Sequence, residues 1–304
     1  MEEAFAQVVL SATIAVVVAL VARSRGWGIA LPLIAVGALV DWLPFGPDAP
    51  PEPEFVLVVI LAPLVFGEAL GSSYLDLRRV QKPVLVLAIG LVIGTTFAVG
   101  AVGTLLTAIP LAMACALGAI LAPTDAVAVS TVARRAGLPR RLVSILEGES
   151  LVNDGTGLTA LTVALAAAAA GTVTIAEVSW IFVEAVVVGV GIGAIGGWIL
   201  SLVLRRSNDL MAANALVLIA PFLLYGIAEN LDGSGILALV VAALVIAHTQ
   251  NSDPGHTGRL QGTTVWKQVT FVLQAIAFFF VGLELPEVLR RLDPGEVRSV
   301  LVLV

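Results

Sequence analysis

Cysteine is nearly absent: Cys115 is the only one in 304 residues, which excludes an intrachain disulfide and a thiolate metal site. Histidine is almost as scarce, with two in the chain. His248 and His256 lie near a loop with no acid at ligand spacing, so no histidine-built metal centre is expected. Charge is thin, at 12% of residues, and the net charge of −6 comes without the polybasic arm that nucleic acid attracts, so no nucleic-acid partner is expected. Neither a glycine-rich phosphate loop nor a zinc-protease motif occurs, so the sequence predicts no enzyme and no cofactor. Linkers are missing too: no low-complexity segment, extended charge run or soluble domain interrupts the chain. The opening residues, MEEAFAQ, lack the positive flank of a cleaved signal peptide. The first apolar segment is therefore predicted to persist as a spanning helix.

What the chain has instead is apolar surface. Hydrophobic residues make up 59% of it and mean hydropathy is +1.04. Taking about 20 apolar residues as one bilayer crossing, spans are predicted near 5–22, 28–44, 54–71, 84–107, 110–134, 141–170, 174–204, 211–230, 234–249 and 266–283. An eleventh begins near 298. The fold class is thus an all-α polytopic membrane protein, with residues 1–304 forming one transmembrane domain. The final residues, RSVLVLV, run only a few positions into an apolar stretch, which reads as a truncated chain, the alternative being a re-entrant or interfacial end.

Lysine and arginine set the expected orientation, because they concentrate in cytoplasmic loops. Arg23 and Arg25 follow the first span; Arg78, Arg79 and Lys82 the third; Arg134, Arg135, Arg140 and Arg141 the fifth. Arg205 and Arg206 follow the seventh, and Arg259 and Lys267 separate the ninth from the tenth. These are alternate loops, and only Arg290, Arg291 and Arg298 of the sixteen basic residues fall elsewhere. The N-terminus is predicted to lie outside a cell membrane.

Two spans carry chemistry. The fifth holds Pro123-Thr124-Asp125 at its centre, a helix breaker beside a hydroxyl and a carboxylate. Proline removes a backbone donor, so carbonyls near Ala119 and Ile120 should leave the helical ladder. Such groups are tolerated at bilayer depth only where protein or water satisfies them. A broken helix follows, able to face a cation; the alternative is a proline kink with Asp125 bonded to a neighbour. The sixth span contains EGESLVNDGTG, residues 147–157. Ser150 and Asp154 share one helical face, Glu149 and Asn153 an adjoining one. Gly148, Gly155 and Gly157 allow close backbone approach. A charge at the depth of Asp154 costs at least about 2.5–3.5 kcal/mol on insertion scales, which marks a function unless Asp154 is half of a buried pair. Glu149 reads as structural, and Glu147 as solvated near the loop. Glu68, Glu184 and Glu229 are placed at interfaces.

APTDAVAV, followed 29 residues after its aspartate by the aspartate of EGESLVNDGTG, resembles the monovalent cation/proton antiporter superfamily, in its electroneutral sodium/proton exchanger branch. LAPLVFGEAL, GSGILALVVAALVIAH and FFFVGLELP extend the likeness over nearly the whole chain. The resemblance implies Asp154 as the aspartate that binds the transported cation and the proton. Asp125 is its companion, and Thr124 and Ser150 are oxygen donors or supports. Asn153 matches the residue that distinguishes the branch; Glu149 matches a glutamate that pairs with an arginine on a later helix. It further implies inverted repeats, two broken helices crossing at the ion site, and a homodimer. The sequence stops before the second crossing helix.

The expected function is exchange of Na+ for H+ by alternating access, one carboxylate holding either a proton or a hard cation with nearby oxygens. With Asn153 rather than a second acid beside Asp154, one proton exchanges for one cation. K+ or Li+ in place of Na+, a cation channel and a non-transporting scaffold remain as alternatives.

Overall fold

A computed structural model of the chain describes residues 2–42, 52–107, 109–124, 133, 136–171, 175–207, 209–251 and 256–291. Every regular element among them is helical: α1 (Glu2–Ser24), α2 (Ala30–Asp41), α3 (Pro53–Gly71), α4 (Tyr74–Arg79), α5 (Gln81–Leu106), α6 (Leu111–Leu121), α7 (Arg140–Ala170), α8 (Ile175–Arg206), α9 (Leu210–Glu229), α10 (Gly235–Asn251) and α11 (His256–Arg291). Residues Val56–Leu61 of α3 are wound as π-helix. Among the described residues, six helices are long and apolar enough to cross a membrane, and α1, α2, α6 and α10 are shorter apolar helices.

Ten of the eleven elements fall where hydropathy places them. The exception is α4, whose sequence YLDLRR is too short and too charged to register as a span. Helix α11 begins ten residues earlier than its apolar core, at His256 rather than near 266, and no proline interrupts the chain between the two points. The start of an eleventh span near 298 lies outside the described residues.

The chain divides into two compact units, one of residues Met1–Leu64 with Lys267–Val304 and one of Val65–Trp266. In the first, α1 and α2 pack with α11 through Ala15, Ala19, Leu33, Ala275, Phe279 and Leu283. Gly37 and Gly282 let the backbones of α2 and α11 meet, since a Cβ on Gly37 would lie 3.0 Å from Gly282 Cα. Arg290 pairs with Asp41 where these helices end, and Arg23 sits over the Phe271 ring at 5.6 Å.

The second unit contains α4–α10, and small residues govern its packing. Helix α5 buries Val84, Ala88, Val92, Thr96 and Gly100, each four residues from the next, so one stripe faces inward. Cys115 meets Gly100 and Thr96 meets Gly118, which brings α5 against α6. Gly189, Gly193 and Gly197 of α8 face Ser234, just before α10, and Ala238 and Ala242 within it. Both series have a four-residue period and rise together, so the parallel backbones come together along their length. Hydrogen bonds fix the register at both ends: Ser234 N–H donates to Ala185 O at 2.9 Å, and Arg205 Nη2 to Thr249 O at 3.4 Å. Arg205 and the exposed Glu184 stand about 32 Å apart along α8 at 1.5 Å per residue, close to the hydrocarbon thickness of about 30 Å. The charged residues of α8 thus bracket one crossing, and the 17-residue α10, about 26 Å long at 1.5 Å per residue, runs beside most of it.

Candidate ion-binding site

Helix α6 stops at Leu121, and Pro123 and Thr124 are not helical. Proline at 123 cannot donate to the ladder and clashes with the preceding turn, so the helix ends there as predicted. Its other half, with Asp125, lies outside the described residues. The break is held against α7 by a glycine: a Cβ on Gly157 would lie 2.5 Å from Pro123 Cγ and 3.3 Å from Ala119 O. Only a hydrogen at that position admits the proline ring.

The polar residues of α7 then close around Thr124. Its hydroxyl donates to Glu149 Oε2 at 3.0 Å and accepts from Asn153 Nδ2 at 3.0 Å. Asn153 Nδ2 also donates to Glu149 Oε1 at 2.8 Å. The Thr124 carbonyl accepts from the Ser150 hydroxyl. The carbonyls expected to be released were those near Ala119 and Ile120; the one found in a side-chain bond is Thr124's, because the helix runs up to Leu121 before it yields. Glu149, Ser150 and Asn153 are buried, Thr124 half-buried.

Of the six residues singled out in the sequence, Thr124, Glu149, Ser150 and Asn153 are thus brought into one cluster. Asp154 is half-buried, one helical turn beyond Ser150 on the same face of α7. Glu149 proves to be hydrogen-bonded at both oxygens by neutral donors, which its reading as structural did not specify. Asn153 does more than replace an acid: its amide bridges Glu149 and Thr124, while its Oδ1, fully buried, has no hydrogen-bond partner among the described residues. Glu229 is a cap, its Oε1 accepting from Gly235 N–H at 3.0 Å at the start of α10.

Two residues escaped the sequence reading. Thr159 and Ser234 are buried and share a hydroxyl–hydroxyl bond of 2.8 Å between α7 and α10. Ser234 immediately precedes α10, the position where serine favours a helix start. That signal is local and carries no information about α7.

A sequence model of the family described as "Sodium/hydrogen exchanger, transmembrane" matches residues 9–304. Among curated proteins, a sodium, potassium, lithium and rubidium/H(+) antiporter of Bacillus pumilus is 35% identical over 274 residues, covering 86% of this chain and 40% of that protein. The Na(+)/H(+) antiporter ApNhaP of Aphanothece halophytica is 30% identical over 237 residues, 76% of this chain and 45% of that one. The chain therefore spans about half or less of the length of these relatives. The solved structure of the sodium proton antiporter MjNhaP1 from Methanocaldococcus jannaschii at pH 8 has the same fold, with a TM-score of 0.73 over 92% of this chain and 70% of that one at 17% identity. By sequence and by fold, this chain belongs to the transmembrane sodium/hydrogen exchanger family.

Proposed function

We propose that this protein exchanges Na+ for H+ across the cell membrane by alternating access, with Asp154 as the group that holds either ion. The observation that carries the reading is the broken end of α6 docked on α7. The Thr124 carbonyl, outside the helical ladder, is bound by Ser150, and Asp154 follows one turn later on the Ser150 face. An anionic carboxylate and neutral oxygens at a helix break are what a dehydrated monovalent cation requires, and the carboxylate is what a proton requires. Competition for one carboxylate couples the two ions without a cofactor or ATP.

Asp125 completes the proposed site beside Asp154, with Thr124 and Ser150 as its neutral oxygens. The Thr124 hydroxyl already donates to Glu149 and accepts from Asn153, so it keeps one lone pair for a cation. Asn153 and Glu149 support the site by holding Thr124. The protein acts as a homodimer in the lipid bilayer, with its N-terminus outside and the arginine-bearing ends of α7 and α8 in the cytoplasm. Potassium is a second candidate substrate, because the Bacillus pumilus relative names it together with sodium.

The test is Na+-driven proton movement in proteoliposomes holding the complete protein. Wild type should dissipate an imposed pH gradient on addition of Na+. Asp154→Asn should abolish the response while still inserting and purifying, since an amide neither releases a proton nor neutralises a cation. Half or more of wild-type exchange in that variant would remove Asp154 from the role. Current through a continuous pore without proton movement would identify a channel instead.

A further inference from the structure

Alternating access requires that a contact on each side of the ion site close and open. The candidate on the side away from the arginine-bearing ends lies between α7 and α10. Thr159 is five residues beyond Asp154, about 7.5 Å along the axis and away from Arg140 and Arg141. Its hydroxyl meets that of Ser234 at 2.8 Å, both residues being buried. Beside them Leu237 and Ile236 pack on Gly155, the residue next to Asp154; a Cβ there would lie 2.7 Å from Leu237 Cδ2. A polar pair and two apolar side chains thus cover α7 at Gly155 and one turn beyond it, away from Arg140 and Arg141.

The bonding of each hydroxyl suits a contact that breaks. Thr159 can donate instead to Gly155 O, which lies 2.6 Å away within its own helix. Ser234 Oγ also accepts from Leu237 N–H at 3.4 Å, within the first turn of α10. When the helices part, each oxygen keeps a local partner, so separation strands no buried polar group, which is the costly outcome for a hydrogen bond. Ser234 stays with α8 when this happens, because its amide donates to Ala185 O and Gly189 admits its backbone. The weak link is therefore the one to α7, the helix that carries the ion site. A second hydroxyl pair, Thr249 with Ser201 at 2.9 Å, also has local partners in Ile246 O and Gly197 O, but it joins α8 to α10 inside their glycine-packed contact, where the two backbones are held together.

We propose that Thr159 and Ser234, with Leu237 and Ile236 on Gly155, form the gate that closes the ion site to the outside, and that this gate opens by movement of α7 relative to α10. The proposal rests on the exchange reading above and adds the residues that control access from one side. Weakening the gate raises the fraction of protein open to that side, and apparent affinity there scales with that fraction.

In vesicles of both orientations holding the complete protein, Thr159→Val and Ser234→Ala should each lower the apparent KM for Na+ presented outside by about 2- to 10-fold, the range one neutral hydrogen bond supports. The KM for Na+ presented inside should not fall. Thr249→Val and Ser201→Ala should leave both values unmoved. Equal changes on both sides, or none, would overturn the gate. A second measurement locks it: Thr159→Cys with Ser234→Cys, in a Cys115→Ala background, bridged by a short bis-methanethiosulfonate. Exchange should fall by about 90% on bridging and return on reduction. Exchange that persists after verified bridging sinks the gate and leaves the exchange reading intact; absence of exchange in the unbridged wild type sinks both.

Discussion

Thr124 concentrates the residue-scale argument because three side chains of α7 converge on it. Glu149 receives both of its hydrogen bonds from Thr124 and Asn153, so removing the threonine hydroxyl leaves a buried carboxylate with one donor fewer and the Asn153 amide with one acceptor fewer. Thr124→Ala should therefore destabilise the purified protein by about 1–3 kcal/mol, the cost of unsatisfied buried groups, and raise the apparent KM for Na+. Ser150→Ala frees only the Thr124 carbonyl, which remains an acceptor for water or cation. Its thermal stability should stay closer to wild type while its KM rises. Paired thermal-melt and flux measurements separate the two, and a KM unchanged in both variants would place the ion elsewhere. That Ser150 and Asp154 share one face of α7 was legible from their spacing, whereas the triangle of Thr124, Glu149 and Asn153 was not. A four-residue interval says that two side chains share a face but not which atom of a distant loop lies between them.

At the scale of the element, α8 shows how glycine position rather than glycine content decides packing. Gly191 has nothing within 4 Å of an added Cβ, while one on Gly193 would lie 2.9 Å from Ala238 Cα and closer still to its carbonyl. Gly193→Ala should force α8 and α10 apart and lower stability by about 1–3 kcal/mol, the usual cost of overpacking. Gly191→Ala should leave the melting temperature unchanged or slightly raised, because alanine is the better helix former. Size-exclusion profiles after graded heating would show the contrast, and equal losses in both variants would refute the packing argument. The helix break belongs to this scale too. Pro123 ends α6 by its own covalent structure, yet the break is seated only because Gly157 of α7 has no side chain.

For the whole molecule, the number of titratable groups at the site sets the charge carried per cycle. Asn153 cannot ionise and is committed to Glu149 and Thr124, so Asp154 is the one proton carrier proposed on α7. Exchange should be one Na+ for one H+. In proteoliposomes with the complete protein, an imposed membrane potential should leave the initial rate unchanged. A rate that follows the potential would mean that a second proton travels, with Asp125 the first group to test. The relatives are about twice this chain's length, so flux assays belong to the full-length protein.

Sequence alone determined the class, the apolar helices and the break in α6, because burial in a bilayer is written locally: about 20 apolar residues per crossing, and a proline that stops a helix wherever it stands. It also fixed the family, since the PTD and ND motifs stand in this sequence as contiguous text. Tertiary structure decided what depends on two helices at once. It showed that Ser150 binds the Thr124 carbonyl, that Asn153 joins Glu149 to Thr124, that Gly189, Gly193 and Gly197 answer a matching stripe that starts just before α10, and that Thr159 meets Ser234. Each of these contacts links residues far apart in the chain, and helical periodicity reports the direction a side chain faces but not the identity of the helix it meets.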